Sequence, residues 1–330
     1  MKNKLLFPLL FTISLTSCSQ SSNALASKVF CFDTMMEIKL YEGSKEDLSY
    51  IEDIFNSLDK LTDNYQSRGI PNVYSINQTN EDIYIDGYLY DLLKLSFDFQ
   101  NDVTNYFNPL CGSLSKKWKE SLKNLQILDE NTKNAELEKM KNSSLEFKGK
   151  PLTANKRWYS NQGIVQRLGD AEIDLGGIAK GYALDKAYEY LSDKDIKNYL
   201  INGGKSSILL GEKKTKDGLF NVGISDINKA FLKLKNCFVS TSGLSTQGVK
   251  IDGITYSHII NPIDGSAINK YDAVIVISDK GYFGDALSTS LMLCDIDEIK
   301  AIENEHLVKT IVVDDGKIVY KHKDIEVYYH

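Results

Sequence analysis

Residues 171–193 read AEIDLGGIAKGYALDKAYEYLSD, a short β-rich run that ends near Asp174, turns on Gly176-Gly177 and passes directly into a helix-patterned segment. NYLIN follows, then Gly203-Gly204 and SSILLGE. Strand, glycine turn, helix and strand in that order require a sheet with a helix laid against it. Further strands are expected at FNVGIS, CFVSTSG, YSHII, AVIVIS, TIVVDD and KIVYK, with one helix over residues 284–293. So many late strands with scattered helices favour a mixed α+β class over a regular doubly wound parallel sheet.

The N-terminal half supplies the flanking layer. Residues 29–41 have strand composition, and residues 45–61 place Leu48, Ile51, Ile54, Phe55, Leu58 and Leu61 at helical spacing. A second helix is expected over 86–99, with a loop containing a short turn at 62–82. Residues 119–158 are highly charged and weakly periodic, which suggests one helix and an irregular surface region.

Of the 330 residues, 42% are hydrophobic, enough for real cores. The 39 Lys and Arg stand against 45 Asp and Glu, a net charge of −6 without a basic run, which argues against nucleic acid as a partner. Any phosphate site in such a chain is local.

The start of the chain reads as a processing segment. Residues 1–17 carry Lys2 and Lys4 ahead of a short apolar run, too short to span a bilayer, and end in Leu15-Thr16-Ser17 before Cys18. This pattern resembles a bacterial lipobox, with cleavage before Cys18 and lipid on its sulfur. The reading is a lipoprotein signal peptide over 1–17, a flexible tether over 18–28 and the working domain over 29–330; an ordinary signal peptide is the alternative. The processed chain carries 37 basic and 45 acidic residues, −8 overall. Cys31, Cys111, Cys237 and Cys294 are widely spaced and indicate neither zinc nor a dithiol motif, with Cys237 and Cys294 expected as small buried hydrophobes.

Four segments carry candidate chemistry. In the first, Asp174, Gly176-Gly177 and Lys180 in the opening turn of a helix can present backbone amides and one cation to an anion. It is neither a Walker loop nor G-x-G-x-x-G, and tight helix–strand packing explains the glycines equally well. Asn202-Gly203-Gly204 permits close backbone approach but suits a plain turn. His258 precedes the Asn261-Pro262-Ile263-Asp264-Gly265 turn and is the best general-base candidate among four histidines; a structural histidine beside a turn remains open. In the fourth, Asp285 opens the expected helix and Thr289 falls one turn later on the same face. Such oxygens suit Mg2+, although an Asp N-cap with a back-bonded Thr fits the same pattern.

Taken in order, FDTMMEIKLY, FNPLCGSLSKKW, IDLGGIAKGYALDKA, LINGG, VSTSG, HIINPIDG and GDALSTS resemble the ApbE family of bacterial flavin transferases, from about Val29 to beyond Asp285. The resemblance implies a two-part architecture, with antiparallel or mixed sheets, flanking helices and an FAD cleft between the parts. It also implies Mg2+-dependent transfer of FMN from FAD to a Thr or Ser of an exported or membrane flavoprotein, with release of AMP. Met35, Tyr65, Tyr106, Phe107, Asn108, Asp174, Lys180 and Ile260 are the implied FAD contacts. The Gly177 carbonyl, Asp285 and Thr289 are the implied metal ligands, and His258 or Asp285 the implied base. Met36 and Glu37 stand where many members have Gly and Thr, Asn108 where Asp is frequent, and Ser288 where Asp also occurs. An exported protein held by lipid at a bacterial membrane, on its outer face or periplasmic side, fits the lipobox. The alternatives are an Mg2+-dependent FAD pyrophosphatase and a non-catalytic flavin-binding lipoprotein.

Overall fold

The computed structural model describes residues 24–149, 162–244, 248–267 and 270–330. Its spine is an eight-stranded sheet made of β1 (Leu25–Cys31), β2 (Thr34–Leu40), β6 (Tyr199–Gly203), β7 (Ser207–Leu210), β10 (Cys237–Gly243), β13 (Ala273–Ser278), β14 (Lys309–Asp314) and β15 (Lys317–Lys321), numbered along the chain and adjacent in that order. Every neighbouring pair is antiparallel. A second sheet joins β3 (Asp82–Asp86), β5 (Gln162–Leu168) and β4 (Ser144–Lys148); a third joins β16 (Tyr328–Tyr329), β9 (Ala230–Leu234) and β8 (Phe220–Gly223); β11 (Val249–Ile251) and β12 (Ile254–Tyr256) form a hairpin. The helices are α1 (Lys45–Thr62), α2 (Val73–Asn77), α3 (Gly87–Asp102), α4 (Gly112–Lys123), α5 (Glu130–Lys141), α6 (Ala179–Asp193), α7 (Gly281–Leu291) and α8 (Ile296–His306). This is the expected mixed α+β class.

Strand alternation divides the central sheet between two cores. Phe238, Val274 and Val276 face the main core, which α1, α6 and α7 help to fill. Val239, Ala273 and Ile275 face a second core with Phe220, Val222 and Leu232 of the β8–β9 layer. The AVIVIS run of β13 is therefore continuously apolar because both of its faces are covered.

Several expectations are corrected. Residues 29–41 form a hairpin, β1–β2, because Phe32 and Asp33 take positive φ (53° and 55°) and reverse the chain. The Phe32 N–H donates to Asp59 Oδ1 at 2.6 Å, which ties that turn to α1. The charged region holds two helices, α4 and α5, followed by β4. AEIDL is extended but joins no ladder: Asn77 bonds both backbone groups of Ile173, at 2.7 and 3.0 Å, and the Asp174 N–H donates to the Pro109 carbonyl at 2.9 Å. In YSHII only Tyr256 is strand; residues 257–260 form an irregular loop. Residues 1–23, including Cys18, lie outside the described residues, and since β1 begins at Leu25 the last part of the expected tether is strand. The four described cysteines are free thiols, Cys31 and Cys294 buried, Cys111 and Cys237 only half-buried. Among the described residues, no helix is long and apolar enough to cross a membrane.

Helices α6 and α7 cross in backbone contact. A Cβ at Gly181 would lie 2.1 Å from the Gly281 carbonyl oxygen, and one at Gly281 would lie 2.3 Å from that of Gly181. Neither carbonyl is the movable end of a side chain, so a methyl group forces the helices apart. Gly181→Ala is expected to cost about 3 kcal/mol in urea unfolding, whereas Gly223→Ala, which meets no atom within 4 Å, should be nearly neutral.

Candidate active site

The site begins where α6 starts. Its N-cap position, Ile178, offers no side-chain acceptor, so the first N–H groups of the helix need partners from elsewhere. Asp285 supplies one. The expectation that Asp285 opens its helix is corrected: α7 starts at Gly281, which places Asp285 one turn in and facing the protein interior. Its Oδ2 accepts the Gly181 N–H at 2.7 Å, and its Oδ1 accepts the hydroxyls of Ser207 and Ser240, each at 2.7 Å. Ser207 and Ser240 are register partners on β7 and β10, so two hydroxyls arrive side by side. Burial raises the Asp285 pKa, while the Lys180 charge and these hydrogen bonds oppose the rise.

Gly177 precedes the N-cap of α6, so the Gly181 N–H, third in the helix, has no acceptor within it and takes Asp285. The Gly177 carbonyl accepts no hydrogen bond among the described residues. Thr289 is close to it: a Cβ on Gly177 would sit 3.6 Å from Thr289 Oγ1 and 3.4 Å from Phe107. The Thr289 hydroxyl contacts Ser242 Oγ at 3.2 Å and the Asp285 carbonyl at 3.1 Å. Asp285 Oδ2 retains an acceptor position, because a carboxylate oxygen takes two partners and this one has a single donor. One carboxylate, one unpaired carbonyl and one hydroxyl are a hard oxygen set that suits Mg2+. Among the described residues, no three His, Cys, Asp or Glu side chains converge.

His258 lies in the loop after β12, anchored from α4. Trp118 is buried, donates its Nε1–H to the Gly265 carbonyl at 2.7 Å and stacks on Tyr256 with centroids 5.9 Å apart. The His258 side chain reaches solvent, yet the protein around it, followed by the charges of Lys180 and Lys119, lowers its pKa from 6.5 to about 4. The imidazole is thus neutral above about pH 4, the form that accepts a proton. The Lys180 charge acts on both His258 and Asp285, so it lies within electrostatic reach of each.

The other expected contacts form a rim. Burial raises the Asp174 pKa, opposed by the Gly176 N–H, which it accepts at 2.8 Å, and by Lys116, Asn64 and Lys119. Asn64 stands beside that carboxyl, while its buried amide nitrogen has no hydrogen bond of normal geometry among the described residues. Tyr65 is half-exposed, with Lys116 and Lys119 nitrogens 5.1 and 4.9 Å from its ring centre. Lys116 also bonds Glu172 and the Asn64 carbonyl, each at 2.7 Å. Phe107 is buried against Phe99 at 5.3 Å, and Asn108 Oδ1 accepts the Leu110 N–H at 2.8 Å in the turn that leads to α4. The Tyr106 hydroxyl faces Glu298 of α8, and burial followed by that carboxylate raises its pKa. Ile260 is buried in the His258 loop. Met35 is 46% exposed at the turn end of β2, where the neighbouring residue Thr34 packs on Gly204. A cleft of about 360 Å3 at the opposite ends of β6, β7 and β10, lined by Tyr188, Tyr199, Cys237 and Asp279 among others, holds none of these residues.

The structure places the Asp285 carboxylate on the Gly181 N–H and Thr289 beside Gly177, and sequence reasoning missed the groups that hold them. Ser207, Ser240 and Ser242 were legible only as hydroxyls on strand faces; the alternation in CFVSTSG is the one signal that could have turned Ser240 and Ser242 toward the helix. Asn64 and Lys119 left no local signal, and Lys116 and Trp118 entered only within FNPLCGSLSKKW, since each acts across more than 50 residues of chain.

Comparison with known proteins gives the same frame. Proteins named FAD:protein FMN transferase match from Treponema pallidum (25% identical over 68% of this chain and 64% of the relative), Klebsiella pneumoniae (35% over 36% and 38%) and Chlamydia pneumoniae (22% over 93% and 96%). The match thus spans less than two thirds of the first two relatives and nearly all of the third. Among solved structures, the ApbE protein of Thermotoga maritima superposes with a TM-score of 0.74 at 21% identity, covering 91% of this chain and 97% of that one. The flavin transferase ApbE of Vibrio cholerae gives 0.69 at 19%, covering 93% and 96%, and these likenesses establish the fold. The family model described as ApbE family matches residues 32–312, and the chain belongs to the ApbE family.

Proposed function

We propose that this protein is an Mg2+-dependent FAD:protein FMN transferase, which joins FMN from FAD through a phosphoester bond to a Thr or Ser of an acceptor flavoprotein and releases AMP. The observation that carries the reading is the oxygen set at the start of α6: the buried Asp285 carboxylate bonded to the Gly181 N–H, the Gly177 carbonyl without a hydrogen bond among the described residues, and the Thr289 hydroxyl close to Gly177, with the Lys180 charge acting on Asp285. The names of the relatives support the same chemistry.

The acceptor hydroxyl attacks the FMN-side phosphorus of FAD, the new P–O bond forms, the bond to the bridging oxygen breaks, and AMP leaves. Little covalent help is required beyond position and charge. Asp285, Thr289 and the Gly177 carbonyl would hold Mg2+, which when bound would neutralise charge on phosphate oxygens. Lys180 adds a fixed cation at the start of α6. His258 takes the hydroxyl proton, because the Asp285 oxygens are engaged by three donors and, in this reading, by the metal. Tyr65, Met35, Phe107 and Asp174 hold and orient FAD, with Tyr106, Asn108 and Ile260 completing the rim. Cys18 carries the lipid that keeps the enzyme at a bacterial membrane, facing exported acceptors.

Purified protein with FAD, Mg2+ and a Thr-bearing acceptor should yield AMP and flavinylated acceptor. AMP with free FMN would make it a pyrophosphatase, and intact bound FAD a carrier. Asp285→Ala should abolish the Mg2+ response. His258→Ala should bind FAD but transfer about 10²–10⁴-fold more slowly, and an unchanged rate would remove His258 as the base.

The acid limb of transfer should fall near pH 4 rather than 6.5, because the His258 imidazole stays neutral until the pH drops that far. Lys180→Met removes a cation that disfavours protonation, so the His258 pKa should rise, yet stay below 6.5 because burial is the larger cause. An NMR titration of the ring proton checks both.

Cys18→Ser should move the protein from the membrane to the soluble exported fraction, and continued membrane retention would overturn the anchor.

A further inference from the structure

Helices α6 and α7, like α4, lack a side-chain cap of their own, whereas α1, α2 and α8 each carry a capping box. Helices α6 and α7 instead receive their caps from each other. Asp285 of α7 accepts the Gly181 N–H of α6, and Asp185 of α6 accepts the Gly281 and Tyr282 N–H groups of α7 at 2.7 and 2.8 Å. Both carboxylates sit four residues C-terminal to the glycine whose N–H the other helix holds: Gly181 and Asp185, Gly281 and Asp285. The two glycines touch backbone to backbone, so no side chain buffers a slip between the helices.

The Gly181 N–H lies in the first turn of α6, where no carbonyl of the helix can accept it, and the Asp285 carboxylate is the acceptor it uses. That bond holds while α7 keeps its height and roll against α6, and the first turn of α7 is held there by Asp185. We propose that Asp185 is a positioning residue: by capping α7 in trans it keeps Asp285 on the Gly181 N–H and keeps Thr289, one turn later on the same helix, beside Gly177. This rests on the reading of Gly177, Asp285 and Thr289 given above.

Asp185→Asn retains size but offers one acceptor oxygen in place of two. In the full-length protein it should raise the half-saturating Mg2+ concentration about tenfold and lower kcat by a similar factor, with KM for FAD within about twofold. Asp185→Glu should recover part of both losses. Ser44→Ala, which removes the remote capping box of α1, should lower the melting temperature comparably and leave the Mg2+ response unchanged. A readout without FAD, metal or turnover is the Gly181 amide proton resonance: in Asp185→Asn it should move toward its position in Asp285→Ala. The proposal is overturned if Asp185→Asn speeds hydrogen exchange at Gly281 and Tyr282 while the Gly181 resonance and the Mg2+ response stay as in the wild type. If the wild-type protein shows no Mg2+-dependent reaction of FAD, the functional reading fails, and the Gly181 resonance still decides whether Asp185 places Asp285.

Discussion

One backbone N–H at the start of a helix organises the site. The Gly181 N–H has no acceptor within α6 and bonds Asp285 of α7. Burying an ionised carboxylate costs several kcal/mol unless its oxygens are matched. Three donors at 2.7 Å, each worth about 1.5–3 kcal/mol to a charged acceptor, offset that cost. They come from α6, β7 and β10, so the carboxylate is held by three separate elements and tolerates little relative motion among them. The close crossing at Gly181 and Gly281 is a condition of this arrangement, because a larger residue at either place would carry the acceptor out of reach of the donor.

The charge distribution follows the same local logic. A chain with net charge −6 offers an anion no general attraction. Lys180 acts on both Asp285 and His258, and Lys119 on His258, Tyr65 and Asp174, so two ammonium groups on different helices set the potential where the phosphates of a dinucleotide would lie. Lys116 is partly neutralised by Glu172 and serves chiefly to fasten the Asn64–Tyr65 loop. The protein around His258 and these cations keep the imidazole in its neutral form, the one that can accept a proton.

How much of this was legible depended on the range of the interaction. The periodicity of α1, α3 and α6 and the strand composition of β6, β7, β10, β13, β14 and β15 are local and were read correctly. AEIDL was misread as a strand because its partners are the Asn77 side chain and the Pro109 carbonyl, which no periodicity encodes. The β1–β2 hairpin was missed because Phe32-Asp33 is a poor turn dipeptide on propensity, held in positive φ with help from Asp59, 27 residues away. In the site, glycines and an Asp/Thr pair one turn apart are visible in a string. The cross-element donors are not, and neither is the consequence that the start of α7 lies four residues before Asp285.

The alternation along β10 ties two distant parts of the molecule to one setting. Phe238, Ser240 and Ser242 face the helices, with Ser240 on Asp285 and Ser242 on Thr289, while Val239 packs into the second core against the β8–β9 layer. Sliding this strand by a single residue would present Val239 to a buried carboxylate and drive Ser240 into an apolar layer, two errors committed at once. The outer three-stranded sheet, which contributes no atom to the chemistry, thereby acts as the ratchet tooth that indexes the reaction centre. Mutational drift in that layer is felt as misplaced hydroxyls on the other side of the sheet.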